Sequence, residues 1–303
     1  MTGTTQPSTT NAGRSLLARG LALAPVADDP AWTRHCPGRP LAPAGGHYSG
    51  PVANGLGLDG PVNFSNPPVA EVLIGVAFDP VDGLSSYLSG ALFDRWRADY
   101  PTVTQQPELP PPVNLDSGPG AFVRLGPPVA TRLWFMAADG GFLVQVQPDR
   151  LVVNWRTGAG REYPRYPAVR ERFVSAWRDV CAVAGREPRV FQTEVTYVNL
   201  TPHPLNEVLE GWGATLLFDQ DNGGQTANTE ARIELQNPSV PAMRRTVAQS
   251  SQSAPTRIAF SVFTQVTDQA QVMDAVDSSR RHIVERFKQV TTQKMHDEWG
   301  ELS

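Results

Sequence analysis

Two glutamates and a band of amides are the side chains whose types and placement offer chemistry. Glu71 and Glu194 head similar stretches, Glu71-Val72-Leu73-Ile74-Gly75-Val76-Ala77-Phe78-Asp79-Pro80 and Glu194-Val195-Thr196-Tyr197-Val198-Asn199-Leu200-Thr201-Pro202. Two carboxylates in matched positions do acid–base work only when their surroundings push the two pKa values apart. Pairing with an arginine on a neighbouring strand, Arg132, Arg156 or Arg257, is their more ordinary role. The amides come from strand-like runs, where alternate residues share a face. Leu143, Gln145 and Gln147 share one face, as do Val152, Asn154 and Arg156. The later runs add Gln192, Glu194 and Thr196, then Arg232, Glu234 and Gln236. Amides and guanidinium groups present paired donors and acceptors, so Gln145, Gln147, Asn154, Arg156, Glu194 and Arg232 are the candidate binding residues.

Other motifs exclude more than they assign. The five histidines, His35, His47, His203, His282 and His296, lack zinc-helix spacing, and neither Cys36 nor Cys181 has a CxxC partner. There is no P-loop, no GxGxxG after a strand and no GxSxG elbow. No catalytic set, metal or cofactor is therefore expected. Arg161, Arg165, Arg170 and Arg172 form a basic cluster that reads as a solvated helix start.

The elements that must position these residues follow from periodicity. Residues 1–62 are rich in Thr, Ala, Gly and Pro and read as a disordered or weakly ordered extension, with one apolar stretch between Leu16 and Leu23. From about residue 63 the chain reads as β-α-β-β-β-α written twice, about 63–187 and 188–303. Copy one has a strand to Phe78 and a helix carrying Leu84, Leu88, Leu92 and Trp96. The proline-rich stretch 101–128 reads as an extended surface connection, and three strands and a helix end the copy. Copy two opens with a strand from Val190 to Leu200, has a weak helix near Leu205, and adds strands within 231–236, 245–249 and 257–265 before a final helix. Short hairpins with helices able to cover one face predict an α+β fold, a mainly antiparallel, saddle-like sheet with helices on one face.

A net charge of -4 works against wrapping nucleic acid or an anionic membrane. Two cysteines in unlike contexts fit a reduced, cytoplasmic setting, Arg19 interrupts the only signal-like patch, and no apolar run reaches bilayer length.

Several blocks together carry a resemblance. Asn66-Pro67-Pro68-Val69-Ala70-Glu71-Val72, Gln145-Val146-Gln147-Pro148-Asp149-Arg150, Asn154-Trp155-Arg156, Tyr163-Pro164-Arg165-Tyr166 and Glu194-Val195-Thr196-Tyr197-Val198-Asn199 stand in this order, with Trp299-Gly300 near the end. From about residue 64 onward the chain resembles a sporadically distributed, uncharacterised bacterial protein family. That family brings no established activity; its patchy occurrence implies horizontally moved genes such as accessory or defence loci. The leading expectation is a non-catalytic binding or adaptor protein that meets a protein partner through the uncovered sheet face. The alternatives are nucleic-acid binding by that face, and an enzyme acting on a small polar substrate through Glu71 or Glu194.

Overall fold

A computed structural model describes residues 63–113, 115, 131–158, 161–211, 228–237, 242–251 and 254–302. The expectations for residues 1–62, including Cys36, lie outside the described residues. In chain order the elements are β1 (Asn63–Phe64), β2 (Val69–Phe78), α1 (Ser89–Trp96), β3 (Thr102–Pro107), β4 (Thr131–Met136), β5 (Phe142–Gln147), β6 (Arg150–Arg156) and α2 (Arg165–Ala184). There follow β7 (Val190–Thr201), α3 (Leu205–Val208), β8 (Asn228–Asn237), β9 (Ala242–Ser251), β10 (Ala254–Gln265), α4 (Val272–Val290), α5 (Gln293–Trp299) and β11 (Glu301–Leu302).

Nine strands form one sheet in the order β3-β4-β5-β6-β2-β7-β10-β9-β8, with antiparallel neighbours throughout. The fold is α+β, with the helices on one side of the sheet. Outward from the β2–β7 seam, β6, β5 and β4 follow on one side and β10, β9 and β8 on the other, and β3 extends the first side. β2 lies at the centre because it is apolar on both faces: Val72, Ile74, Val76 and Phe78 alternate with Leu73 and Ala77, and all six are buried.

The helices obey the same logic. In α2 the stripe Tyr166, Val169, Phe173, Trp177, Val180 and Cys181 is buried, and Gly185, at φ +67°, ends the helix in the left-handed conformation that favours glycine. In α4, Val272, Met273, Val276, Ile283 and Phe287 form the inward stripe. α2 faces β6 and β2, whereas α4 faces β7 and β10. The two helices are joined by Asp277 of α4, which accepts from Tyr166 Oη (2.6 Å), Arg170 Nε (2.8 Å) and Arg170 Nη2 (3.0 Å) of α2.

Three features depart from the periodicity reading. The stretch expected to be wholly a connection contains β3, an edge strand whose Thr102-Val103-Thr104-Gln105-Gln106-Pro107 lacks apolar alternation because it pairs with β4 alone. The first helix begins at Ser89 rather than near Leu84; residues 82–88 wind as turns, with Gly83 at φ +76°. A two-strand ribbon of β1 with β11, and the short α5, were not anticipated. They clasp Phe64 against Phe287, His296 and Trp299, with ring centroids 5.9, 5.5 and 5.9 Å away.

Candidate functional site

On the side of the sheet away from α2 and α4, the register brings residues from all nine strands onto one surface. Leu143 lies opposite Asn154 and Gln145 opposite Val152. Across the seam, Leu73 faces Thr196 and Gly75 faces Glu194, while on the far side Arg245 faces Glu234. The band of amides therefore exists, but much of it is not in water. Gln145 is 2% exposed, Asn154 is 0% exposed, and Gln147 is equally buried.

Part of the cover is the protein's own chain. Residues 108–113 and Leu115 run across one end of this surface as a strap, anchored by the sheet's side chains. Gln147 Oε1 accepts from the Leu109 N–H (3.0 Å), Arg150 Nη1 donates to the Pro110 carbonyl (2.9 Å), and Gln192 Nε2 donates to the Val113 carbonyl (2.8 Å). Gln236 Nε2 donates to the Leu115 carbonyl. Leu115 packs on Met243 and Phe263, a small apolar cluster separate from the main core. Burying one leucine contributes about 1.5–3 kcal/mol. Leu115→Asp should therefore cost about 2 kcal/mol in urea unfolding and speed hydrogen exchange of the Leu109 amide well beyond the global change. Unchanged protection of Leu109 would mean that the polar anchors hold the strap unaided.

On the same face lies a directed chain of hydrogen bonds crossing four strands. Arg132 Nη1 of β4 donates to Gln145 Oε1 of β5 (2.8 Å), Gln145 Nε2 donates to Asn154 Oδ1 of β6 (2.5 Å), and Asn154 Nδ2 donates to Glu71 Oε1 of β2 (3.0 Å). Every donor points toward Glu71. Burial raises the Glu71 carboxyl from 4.5 to about 8, outweighing the attraction of Arg257 and Arg156. A neutral carboxyl accepting from an amide is then the resting state near neutrality. At the start of the chain, burial and the neighbouring Arg150 push Arg132 down to about 10.

Glu194 stands apart from Glu71, because its partner across the seam is Gly75, four residues along β2. Burial raises its carboxyl too, against Arg150, the Thr196 hydroxyl and Arg245. Thr196 Oγ1 donates to Glu194 Oε1 (3.3 Å) and lies 2.7 Å from Ser261 Oγ. The two glutamates are thus separate, partly covered acids rather than a dyad.

The six candidate binding residues divide accordingly. Gln145, Gln147 and Asn154 are tied up in buried bonds, and Glu194 is partly covered; Arg156 and Arg232 are exposed. Arg232 donates to Glu234 Oε1 through Nε (3.0 Å) and Nη2 (2.6 Å), and Arg245 Nε reaches the same oxygen (2.6 Å). Burial works to raise Glu234, but these bonds prevail and hold its carboxyl below the ordinary range. Arg132 and Arg150 were missed as partners of the amides, since alternation assigns a face but not the neighbour across it. Of the histidines, His203 Nε2 lies 2.8 Å from Glu298 and the buried His296 Nε2 lies 2.7 Å from Thr291 Oγ1. Among the described residues no three His, Cys, Asp or Glu side chains could hold a metal, and no helix is long and apolar enough to cross a membrane.

No protein-family model, no curated protein and no solved structure matches the chain.

Proposed function

We propose that the protein is a non-catalytic binding protein that engages an extended segment of a protein partner along the outer edge of β8. The observation carrying this reading is that edge itself. β8 ends the sheet order, and among the described residues no strand pairs with its outer side. Its Ile233 and Leu235 are 49% and 55% exposed, on the side of the sheet that α4 covers only as far as β10 and β7. The opposite edge, β3, is six residues long and closes with Pro107, whereas β8 runs ten residues without proline. Unpaired main-chain groups on a long edge recruit a further strand, and alternate side chains set which one. A fitting strand carries apolar residues beside Ile233 and Leu235 and charges beside Arg232 and Glu234. The resemblance to a family of patchy occurrence supports an accessory or defence setting for such a protein.

A photo-crosslinker placed at Leu235 in cells of the source organism tests this directly. A protein adduct at Leu235 that disappears with Ile233→Asp, and that is not formed from a crosslinker at the exposed Tyr87, is the expected result. Identical adducts from both positions, or none from Leu235, would remove the proposal.

A second reading, an enzyme using Glu71 as acid–base residue on a small polar substrate, draws support from one observation. A carboxyl at about 8 is poised for proton transfer near neutral pH. Against it, the described contacts of Glu71 are all structural, through Asn154 and the two arginines.

A further inference from the structure

The β4 end of the strapped surface gathers donors that have nothing to donate to. Arg132 is 7% exposed, its Nε has no hydrogen-bond partner, and among the described residues it forms no ion pair. Trp134 Nε1, Thr104 Oγ1 and Arg150 Nε are likewise buried without a partner. Thr104, Trp134 and Arg132 are neighbours, and Arg150 stands two strands from Arg132 with Gln147 between them. Thr104 lies directly opposite Trp134 across β3 and β4, and Arg132 precedes Trp134 by two residues on the same face, its guanidinium 5.2 Å from the indole centroid. Gln147 lies opposite Arg150, and the pairing of Leu133 with Val146 sets Arg132 beside that same Gln147. Arg150 has Asp149 Oδ2 at 3.9 Å and also feels the carboxyl groups of Glu194 and Glu108, so Arg132 is the cation of the pair that lacks an acidic neighbour among the described residues.

A buried guanidinium without a counter-charge is costly, and the usual remedy is an oxyanion that accepts from its fork. The unpartnered atoms here can all donate: guanidinium nitrogens of Arg132 and Arg150, an indole N–H and a hydroxyl. The cluster therefore calls for a ligand that is both anionic and rich in acceptors, and small enough to lie between adjacent strands. We propose that Arg132, Trp134, Thr104 and Arg150 form a binding site for the oxyanion group of a small molecule, a carboxylate or a phosphoryl group. Arg132 takes two oxygens through its fork, Trp134 and Thr104 each add a neutral donor, and Arg150 supplies the second positive charge. The depressed pKa of Arg132 is what a cation kept ready for such a partner would show. This site is distinct from the β8 edge and does not depend on it.

The test uses the full chain with inorganic phosphate and acetate as probes, each compared with chloride at matched ionic strength. Saturable elevation of the melting temperature, accompanied by a shift of the Arg132 Nε–H resonance in arginine-labelled protein, is the expected result. Phosphate alone, acetate alone or both acting identifies which oxyanion the site takes. Arg132→Gln should weaken the stronger anion about tenfold to a hundredfold, the loss of a charged hydrogen bond. Trp134→Phe, which keeps the ring and deletes only the N–H, should weaken it severalfold and carries the test if Arg132→Gln fails to fold. Arg97→Gln, a change at the exposed arginine that follows α1, should leave binding intact. The absence of any effect of either anion beyond chloride, or equal binding by both the wild type and the Arg132 and Trp134 variants, would overturn the site.

Discussion

Glu71→Gln should make the protein more stable at neutral pH, although it removes a carboxyl that faces Arg156 and Arg257. In the folded chain the Glu71 carboxyl titrates at about 8, against 4.5 when unperturbed. Below pH 4.5 both folded and unfolded chains hold the proton, and Glu71 exerts no pH effect. Between pH 4.5 and 8 the unfolded chain has lost a proton that the folded chain keeps, so stability falls as pH rises, by about 1.4 kcal/mol per unit. Solvent reaching a partly buried carboxyl trims the accumulated loss at pH 7 to about 2–3 kcal/mol. Above pH 8 both states are ionised and the penalty is constant. Glutamine keeps an oxygen for Asn154 Nδ2 and never ionises. Urea unfolding of both proteins from pH 4 to 9 should give curves that nearly coincide at pH 4 and diverge through pH 7, with the variant above. Parallel curves, or a variant less stable at pH 7, would show that the Arg156 and Arg257 charges dominate over burial.

Asp277→Ala should be the most damaging change on the helical side. The carboxylate satisfies Tyr166 and both arms of Arg170 at once, and side-chain exposure of the ion pair is 22% for Arg170 and 13% for Asp277. Removing one partner of a shielded, bidentate pair strands the other, at about 3–4 kcal/mol. A double-mutant cycle with Arg170→Ala should return a coupling above about 1 kcal/mol, because the second deletion relieves the stranded cation. Asp277→Asn, which preserves an acceptor for Tyr166, should lose less than Asp277→Ala. A total loss under 1 kcal/mol for Asp277→Ala would instead assign the cohesion of α2 and α4 to their apolar stripes alone.

What periodicity reveals, and what it hides, is visible in particular elements. β5 was readable from Phe142 to Gln147 because one of its faces is uniformly apolar, and α4 from Val272 to Val290 because its stripe recurs at helical spacing. β3 was not, since an edge strand that buries little needs no pattern. At the surface, alternation placed Gln145 and Asn154 on one side of the sheet but could not report their burial. The cover over Gln147, on the same face, comes in part from residues 108–113 and Leu115, which lie more than thirty residues away from it in sequence and carry no periodic sign of where they dock. Likewise, Glu71 and Glu194 were legible as a matched pair in the text of the chain. Only the register, which sets Gly75 and not Glu71 opposite Glu194, shows that the two acids act separately.

The strap has an evolutionary consequence. Its four anchoring bonds all end on main-chain groups: the Leu109 N–H and the carbonyls of Pro110, Val113 and Leu115. Every residue has a carbonyl, and all but proline have an N–H, so the address at which this segment docks is written in Gln147, Arg150, Gln192 and Gln236 rather than in the segment itself. Its own letters are free to drift between lineages, with Leu109, Val113 and Leu115 as the apolar exceptions, while a change in any one of the four distant addressees would misdirect the crossing.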